Sequence, residues 1–269
     1  MPQTWKLVVL GIVQGLTEFL PVSSSAHLVF AEALLGLSRP GVLLEALVHL
    51  GTVGAVLALF GRDLGRVLGT WVRQPLVAEG AGRVVWLLAC TTAVTGAVGF
   101  TFREPLEASF SSVRWTSLQL VLTGFALWGV RERGRRSAEE LTWLDAGWIG
   151  LAQAVAIVPG ISRSGLTIAA GLWRGLAREE AARYSFLASV PAILGAAGYS
   201  VWKDWQTAAQ LGYGAADLAA AFFASLLFGV VAIVWLVSWL RQGRLRAFAY
   251  YCWAVGGAVF VGSWCGGVR

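Results

Sequence analysis

Long apolar runs dominate the hydrophobic pattern of this chain. Six of them are apolar enough to cross a bilayer, although several are short and would depend on their neighbours. They cover residues 43–60, 84–100, 116–130, 184–201, 217–240 and 248–266. The pattern predicts an all-α polytopic membrane protein with six transmembrane helices.

Two further apolar segments, 5–36 and 145–175, are interrupted near their middle by proline and serines. The interruption reads "LPVSSS" in the first segment and "PGISRS" in the second. Irregular backbone at membrane depth is tolerated only where protein or a watery cavity surrounds it. We therefore predict that each segment forms a re-entrant helix hairpin rather than one crossing helix.

The two interrupted segments align with each other at a constant offset of 139 residues. Four identities carry the alignment, namely Gly11, Gln14, Ser23 and Ser25 with Gly150, Gln153, Ser162 and Ser164. Each half would then hold one hairpin and three crossings, and this odd number would invert the second half relative to the first. We predict a single membrane domain, 1–269, with inverted repeats at 1–130 and 145–269 and a cytoplasmic connector at 131–144.

Composition and charge agree with this arrangement. The 269 residues are 57% hydrophobic and only 13% charged, so a water-soluble domain of this length is excluded. The net charge of +6 does not indicate a nucleic-acid partner, because the basic residues form short clusters between apolar runs. The expected partner is the lipid bilayer.

The distribution of basic residues predicts the orientation. Fourteen Lys and Arg lie in loops 61–83, 131–144, 174–183 and 241–247, against six in 1–42, 101–115, 202–216 and at residue 269. The positive-inside rule places the first group in the cytoplasm. Both termini should then face outward, and the two interrupted tips should meet near the midplane in a site that is open to the outside.

The cysteines and the first apolar run carry less information. Cys90, Cys252 and Cys265 show no metal or redox spacing, and we interpret them as packing residues. The first run contains Gln14 and Glu18 and has no basic leader before a cleavage site. We therefore do not predict a removable signal peptide.

Serines stand where each interrupted segment starts its second helix. Ser23, Ser24 and Ser25 lie at the first start, and Ser162 and Ser164 lie at the second. One interpretation is that they are helix caps. The other is that they line an anion site, because helix N-terminal N–H groups and the positive end of the helix dipole point at the same place.

Arg163 favours the anion site. It is the one basic residue placed deep within a membrane segment, where an unpaired guanidinium is costly. A bound phosphate, which accepts two parallel hydrogen bonds from arginine, is a natural partner. The alternative is a structural ion pair with Glu18 or Glu45.

Two pairs of polar residues four positions apart suggest a metal site and its surroundings. Gln14 and Glu18 share one helical face, and hard oxygen ligands beside a phosphate suit Mg²⁺ or Ca²⁺. Glu45 and His49 repeat the spacing on the first crossing helix and are expected to support that site from behind, or to be structural. His27 is either a packing residue or a general base, an acid or a nucleophile.

These residues resemble a known family, the bacterial undecaprenyl-diphosphatases of the bacitracin-resistance type, UppP or BacA. "QGLTEFLPVSSSAHL" at 14–28 is similar to the family's glutamate element with its serine–histidine continuation. "PGISRSGLT" at 159–167 resembles its second signature, and "LEALVHLGT" at 44–52 resembles a third stretch. The chain departs from the family in having Gln14 for the first glutamate and a serine triplet for Ser-Ser-Thr, so Gln14 is expected to act as a neutral ligand or to orient the other ligands.

The resemblance implies hydrolysis of undecaprenyl diphosphate at the outer face of the bacterial plasma membrane, which recycles the lipid carrier of cell-wall synthesis. It implies six crossings and two re-entrant hairpins in an inverted repeat. By position it assigns Gln14 and Glu18 to the metal element and Ser23, Ser24 and His27 to the catalytic stretch. It also assigns Ser162, Arg163 and Thr167 to the phosphate-binding signature.

The nucleophile has three candidates, which are Ser24 activated by His27, His27 itself and a metal-bound water. A function of another class also remains open, because inverted repeats with broken helices are typical of transporters. A lipid-carrier flippase or a small-anion transporter would share the same architecture. A homodimer, the physiological metal and the preferred prenyl chain length are left open by the sequence.

Overall fold

The computed structural model describes residues 4–37, 42–75, 80–102, 112–130, 132–203 and 213–264. Those residues form ten α-helices and no strand. The helices are α1 Thr4–Phe19, α2 Ser24–Leu35, α3 Val42–Arg73, α4 Gly80–Thr101, α5 Val113–Trp128, α6 Trp143–Val155, α7 Arg163–Trp173, α8 Arg178–Lys203, α9 Ala215–Arg241 and α10 Leu245–Gly262. The all-helical prediction is confirmed.

Five of the described helices are long and apolar enough to cross a membrane: α3, α4, α8, α9 and α10. The sixth predicted crossing, 116–130, falls on α5, which has 16 residues. At 1.5 Å per residue that helix is about 24 Å long, less than the hydrocarbon core of about 30 Å. The described helices therefore support a multi-pass membrane protein with five candidate spans, and the sixth crossing stays a prediction.

Each interrupted segment forms two helices with a break between them. The break spans residues 20–23 between α1 and α2, and residues 156–162 between α6 and α7. Ser23 and Ser162 cap the new helices, because the hydroxyl of Ser23 accepts from the Ala26 N–H at 3.3 Å and that of Ser162 from the Gly165 N–H at 3.0 Å. The predicted helix–break–helix pattern is confirmed, and so is the capping role of these two serines.

Glycines let α1 and α6 approach their neighbours closely. A Cβ added at Gly11 would lie 2.3 Å from the carbonyl oxygen of Ala221 in α9. A Cβ added at Gly150, 139 residues further on, would lie 2.8 Å from the carbonyl oxygen of Thr91 in α4. Both contacts are with backbone atoms, which a side chain at these positions could displace only by moving a whole helix. Glycine is therefore required for α1 to pack on α9 and for α6 to pack on α4.

The segment that links the two halves contains a short 3₁₀-helix, Ala138–Glu140. Residues on both sides of this short helix bond to the carboxylate of Asp145, which is fully buried in the first turn of α6. That carboxylate accepts hydrogen bonds from Arg136 at 3.0 Å, from Arg174 and from the Thr142 N–H at 2.8 Å. The cluster ties the linking segment to both helices of the second interrupted segment.

Some positions used in the sequence analysis lie outside the described residues. They include Cys265, most of the predicted outer loops 101–115 and 202–216, and Ala108 within the first of these. Cys90 and Cys252 are both free thiols, in agreement with a packing role.

Candidate active site where the two broken segments meet

The breaks of the two segments contact each other directly. The hydroxyl of Ser164 donates to the carbonyl oxygen of Leu20 at 3.0 Å, and the Gly160 N–H donates to the hydroxyl of Ser25 at 3.2 Å. A serine of each segment thus bonds to a backbone group in the break of the other segment. These backbone groups need such partners, because the breaks lack the regular hydrogen bonds of a helix. The predicted meeting of the tips is found in the structure.

Arg163 and Glu18 form an ion pair across this meeting point. The guanidinium Nη2 donates to Glu18 Oε1 at 2.6 Å, and both side chains are mostly buried. The predicted alternative of a pair with Glu18 is therefore what the chain forms on its own. A guanidinium has five N–H donors, so this pair leaves others for a bound anion.

Ser24 also bonds to Glu18. Its hydroxyl lies 2.5 Å from Glu18 Oε2 and must be the donor, because an ionised carboxylate only accepts. Gln14 Nε2 donates to the same oxygen at 2.9 Å. One buried carboxylate therefore collects a serine hydroxyl, an arginine and an amide, and it is placed to take the serine proton.

His27 does not contact Ser24 in this way. Its Nδ1 lies 2.8 Å from the carbonyl oxygen of Ser23, and its Nε2 lies 2.8 Å from the hydroxyl of Tyr251 in α10. The rings of His27 and Tyr251 also stack, with centroids 5.7 Å apart and planes 13° apart. The expected pairing of Ser24 with His27 is replaced by a pairing of Ser24 with Glu18, because the imidazole faces the helix start and α10 instead.

Thr167 faces away from the break toward α8. Its hydroxyl lies 2.6 Å from that of Ser185, and it also donates to the Arg163 carbonyl at 2.8 Å. The carbonyl oxygen of Ser185 is 3.5 Å from Arg163 Nη1. Thr167 and Ser185 therefore hold Arg163 in place through these contacts on its α8 side, and they do not line the open site.

The second polar pair lies beside the first. His49 Nε2 is 3.9 Å from Glu18 Oε2, so the ring is near the carboxylate without bonding to it. Its Nδ1 is 2.7 Å from the main-chain oxygen of Glu45. His49 lies in α3, and its position beside Glu18 agrees with the predicted role of supporting the metal site.

A divalent ion can be tested against the donors that are present. Gln14 is fully buried, and its Oε1 has no hydrogen-bond partner. An unpaired buried oxygen next to a carboxylate is a fitting pair of hard ligands for Mg²⁺ or Ca²⁺. The described residues contain no cluster of three or more His, Cys, Asp and Glu, so substrate oxygens and water would have to supply the remaining ligands.

Tyr251 and Ser185 are the two site residues that the sequence analysis missed. Tyr251 is one of two adjacent tyrosines in an apolar run, and Ser185 is one of three serines in α8. Neither position carries a local signal, because each reaches the site only through packing of a helix distant in sequence.

Comparison with known proteins yields one consistent result. A family model described as bacitracin resistance protein BacA matches residues 7–258. A protein of Carboxydothermus hydrogenoformans named undecaprenyl-diphosphatase is 39% identical over 262 residues, covering 96% of this chain and 97% of that protein. A protein of the same name from Desulforapulum autotrophicum is 41% identical over 263 residues, covering 93% and 94%.

Proposed function

The chain belongs to the BacA family of bacitracin resistance proteins, and from that membership we propose that it hydrolyses undecaprenyl diphosphate to undecaprenyl phosphate and inorganic phosphate. The observation that carries the proposal is the convergence of Ser24 and Arg163 on the buried carboxylate of Glu18. A hydroxyl, a proton acceptor and a phosphate-binding cation are the groups that phosphoryl transfer requires.

The diphosphate head is proposed to bind between the two helix starts. Free N–H groups and the positive dipole ends of α2 and α7 favour an anion there. Arg163 supplies a fixed fork that matches phosphate oxygens, and it is held near the break by its bond to Glu18. The prenyl tail would stay in the lipid, since the surrounding helices are apolar.

Ser24 is the proposed nucleophile. Its oxygen attacks the terminal phosphorus, its proton passes to Glu18, and the bond from that phosphorus to the bridging oxygen breaks. Undecaprenyl phosphate leaves with the bridging oxygen and takes up the proton from Glu18, which becomes a carboxylate again. Water then gives a proton to Glu18 and attacks the phosphorus of the phosphoserine, the bond from phosphorus to the Ser24 oxygen breaks, and that oxygen takes the proton back as inorganic phosphate is released. Arg163 and the helix N–H groups stabilise the charge on the equatorial phosphate oxygens throughout.

A divalent ion, Mg²⁺ or Ca²⁺, would be held by Gln14 Oε1 and a Glu18 oxygen. When bound there it would neutralise phosphate charge. With a single carboxylate in this pair the protein would bind the ion weakly in the absence of substrate. Activity should therefore be lost on chelation and return in proportion to added metal.

The proposed topology has six crossings, with α5 as a short sixth, and two re-entrant hairpins in an inverted repeat. The constant 139-residue offset supports it, since Gly36 and Gly175, at the ends of α2 and α7, are 139 residues apart and both have positive φ, 63° and 88°. The distribution of basic residues supports an outward-facing site in the plasma membrane. In that orientation the enzyme would recycle the lipid carrier, and its expression should raise tolerance to bacitracin.

Phosphate release separates this function from transport. Purified protein in detergent has no second compartment, so a lipid-carrier flippase or small-anion transporter would release no phosphate from undecaprenyl diphosphate, whereas the proposed enzyme would. Ser24→Ala should abolish release, and Ser263→Ala, which removes a hydroxyl bonded only to its own helix, should not. Rapid quench and peptide mapping should find phosphate on Ser24. A burst of phosphate without a phosphoserine would instead make water the nucleophile.

A further inference from the structure

The turn before Ser24 holds an unfavourable backbone conformation. Ser23 has φ 66° and ψ 97°, and it is the one non-glycine residue with positive φ in the described parts of the chain. Such a conformation persists only where surrounding contacts enforce it. Because Ser24 is the next residue, the direction of its hydroxyl depends on this turn.

His27 is the residue that holds the turn. The carbonyl oxygen of Ser23 can only accept, so the Nδ1 of His27 carries the hydrogen and donates to it at 2.8 Å. The main-chain N–H of His27 donates to the same oxygen at 3.3 Å. One residue thus fixes the strained carbonyl with both its ring and its backbone.

Tyr251 holds the other end of the imidazole. With Nδ1 protonated in the neutral ring, Nε2 is an acceptor and receives the Tyr251 hydroxyl at 2.8 Å. The next residue, Cys252, places its sulfur 3.6 Å from the Pro21 carbonyl oxygen in the same break. Helix α10 therefore braces the break of the first segment at two neighbouring points.

We propose that His27 and Tyr251 are positioning residues, which clamp the strained turn at Ser23 and so keep the Ser24 hydroxyl on Glu18. The inference rests on the proposed phosphatase reaction, and it gives His27 a different duty from that of general base. Both ring nitrogens are already committed, one to a carbonyl and one to a phenol. The clamp acts on turnover through the direction of Ser24 and does not touch the phosphate.

The first test removes the phenol hydroxyl alone. Tyr251→Phe keeps the stacked ring and should lower kcat about three- to tenfold, the effect expected for one lost hydrogen bond, with KM unchanged. Tyr250→Phe is the matched control, since the neighbouring ring packs against Trp128 and Trp253. It should leave kcat at the wild-type value. Equal kcat for wild type and Tyr251→Phe would overturn the clamp.

The second test asks whether the two residues act together. In a His27→Ala background the change Tyr251→Phe should cost nothing further, because the clamp is already open. A purely structural contribution of Tyr251 to folding would instead lower activity by the same factor in both backgrounds. That additive result would refute the proposal.

The third test separates a clamp from a base. His27→Asn places an amide N–H near the position of Nδ1–H, where it can still donate to the Ser23 carbonyl oxygen. In His27→Gln the amide lies nearer the position of Nε2, so His27→Asn should keep several-fold more activity than His27→Gln. If His27 were the base, both variants would lose the titrating group and be equally inactive, and the clamp would be wrong. Wild-type protein that releases no phosphate would refute the proposed function instead, and monodisperse elution of each variant confirms that it is folded.

Discussion

The charge on Glu18 is the feature whose removal should be most damaging. Glu18→Gln keeps the size and shape of the side chain, yet it leaves the mostly buried Arg163 without its counter-ion. It also replaces one acceptor oxygen with an NH₂ group, which is a donor. Ser24 and Gln14 both donate to the carboxylate in the native protein, so donors would then face each other. Breaking a buried ion pair on one side costs about 3–5 kcal/mol. Because a glutamine oxygen can still accept one bond, we expect about 3 kcal/mol of destabilisation.

Activity should fall even in the fraction of Glu18→Gln protein that is folded. Removal of a positioned proton acceptor lowers turnover by about 10²- to 10⁴-fold. The assay is phosphate release by folded, monodisperse protein across a Mg²⁺ or Ca²⁺ titration, with thermal unfolding measured in the same detergent. If Glu18 also binds the ion, part of the lost rate should return at high metal concentration.

Glu32→Gln is the matched control within the same segment. Glu32 lies in the last turns of α2 and is partly exposed, with the like charge of Glu45 close enough to interact. Loss of that repulsion should leave stability equal or slightly higher, and turnover and metal dependence should stay at wild-type values. The reasoning about Glu18 would be refuted if the two variants behaved alike, or if Glu32→Gln were the one that required more metal.

Three further outcomes follow from the same contacts. Arg163→Lys should lose at least tenfold in activity, because an ammonium cannot bond Glu18 and still present a planar fork to phosphate; near-normal turnover would remove Arg163 from the phosphate site. Single cysteines at Ser137 and Gly243, in a background without native cysteines, should resist impermeant thiol reagents in intact cells, while one at Ala108, outside the described residues, should react. The reverse labelling pattern would invert the proposed orientation. Asp145→Asn should lower the free energy of unfolding by about 3 kcal/mol, because two arginines lose their shared counter-ion, and leave the kcat of folded protein near wild type. A selective loss of kcat would link that cluster to the reaction.

The part of the site that could be predicted from the sequence consists of polar residues and prolines within apolar runs. Proline and serine inside an apolar run predicted both breaks, and an arginine at membrane depth predicted a buried charge partner. The direction of each side chain was not predictable. His27 stands closer to Ser24 in sequence than Glu18 does, yet the bond goes to Glu18, because the break folds the start of α2 back over the end of α1. Tyr251 lies 224 residues from His27, and only the packing of α10 brings them together.

The same limit applies to the number of crossings. Hydropathy gave 116–130 as the shortest of the six runs, and the described helix there is α5, Val113–Trp128, with 16 residues. Whether such a helix crosses depends on how its neighbours and the local bilayer thickness adjust to it. That information lies in the assembled bundle and not in the run itself.

The 139-residue offset explains how two similar segments yield one asymmetric site. Ser24 and Arg163 are equivalent under that offset, and each is the first residue of its helix. Both donate to the same carboxylate, Ser24 to Oε2 and Arg163 to Oε1, while the position equivalent to Glu18 holds Ile157. If both positions carried a glutamate, two buried like charges would face a single arginine, and repulsion would drive one of them to take up a proton. In the proposed reaction, a single carboxylate between two unlike helix starts gives one proton acceptor, one nucleophile and one cation, and that division of roles requires the two segments to differ at these positions.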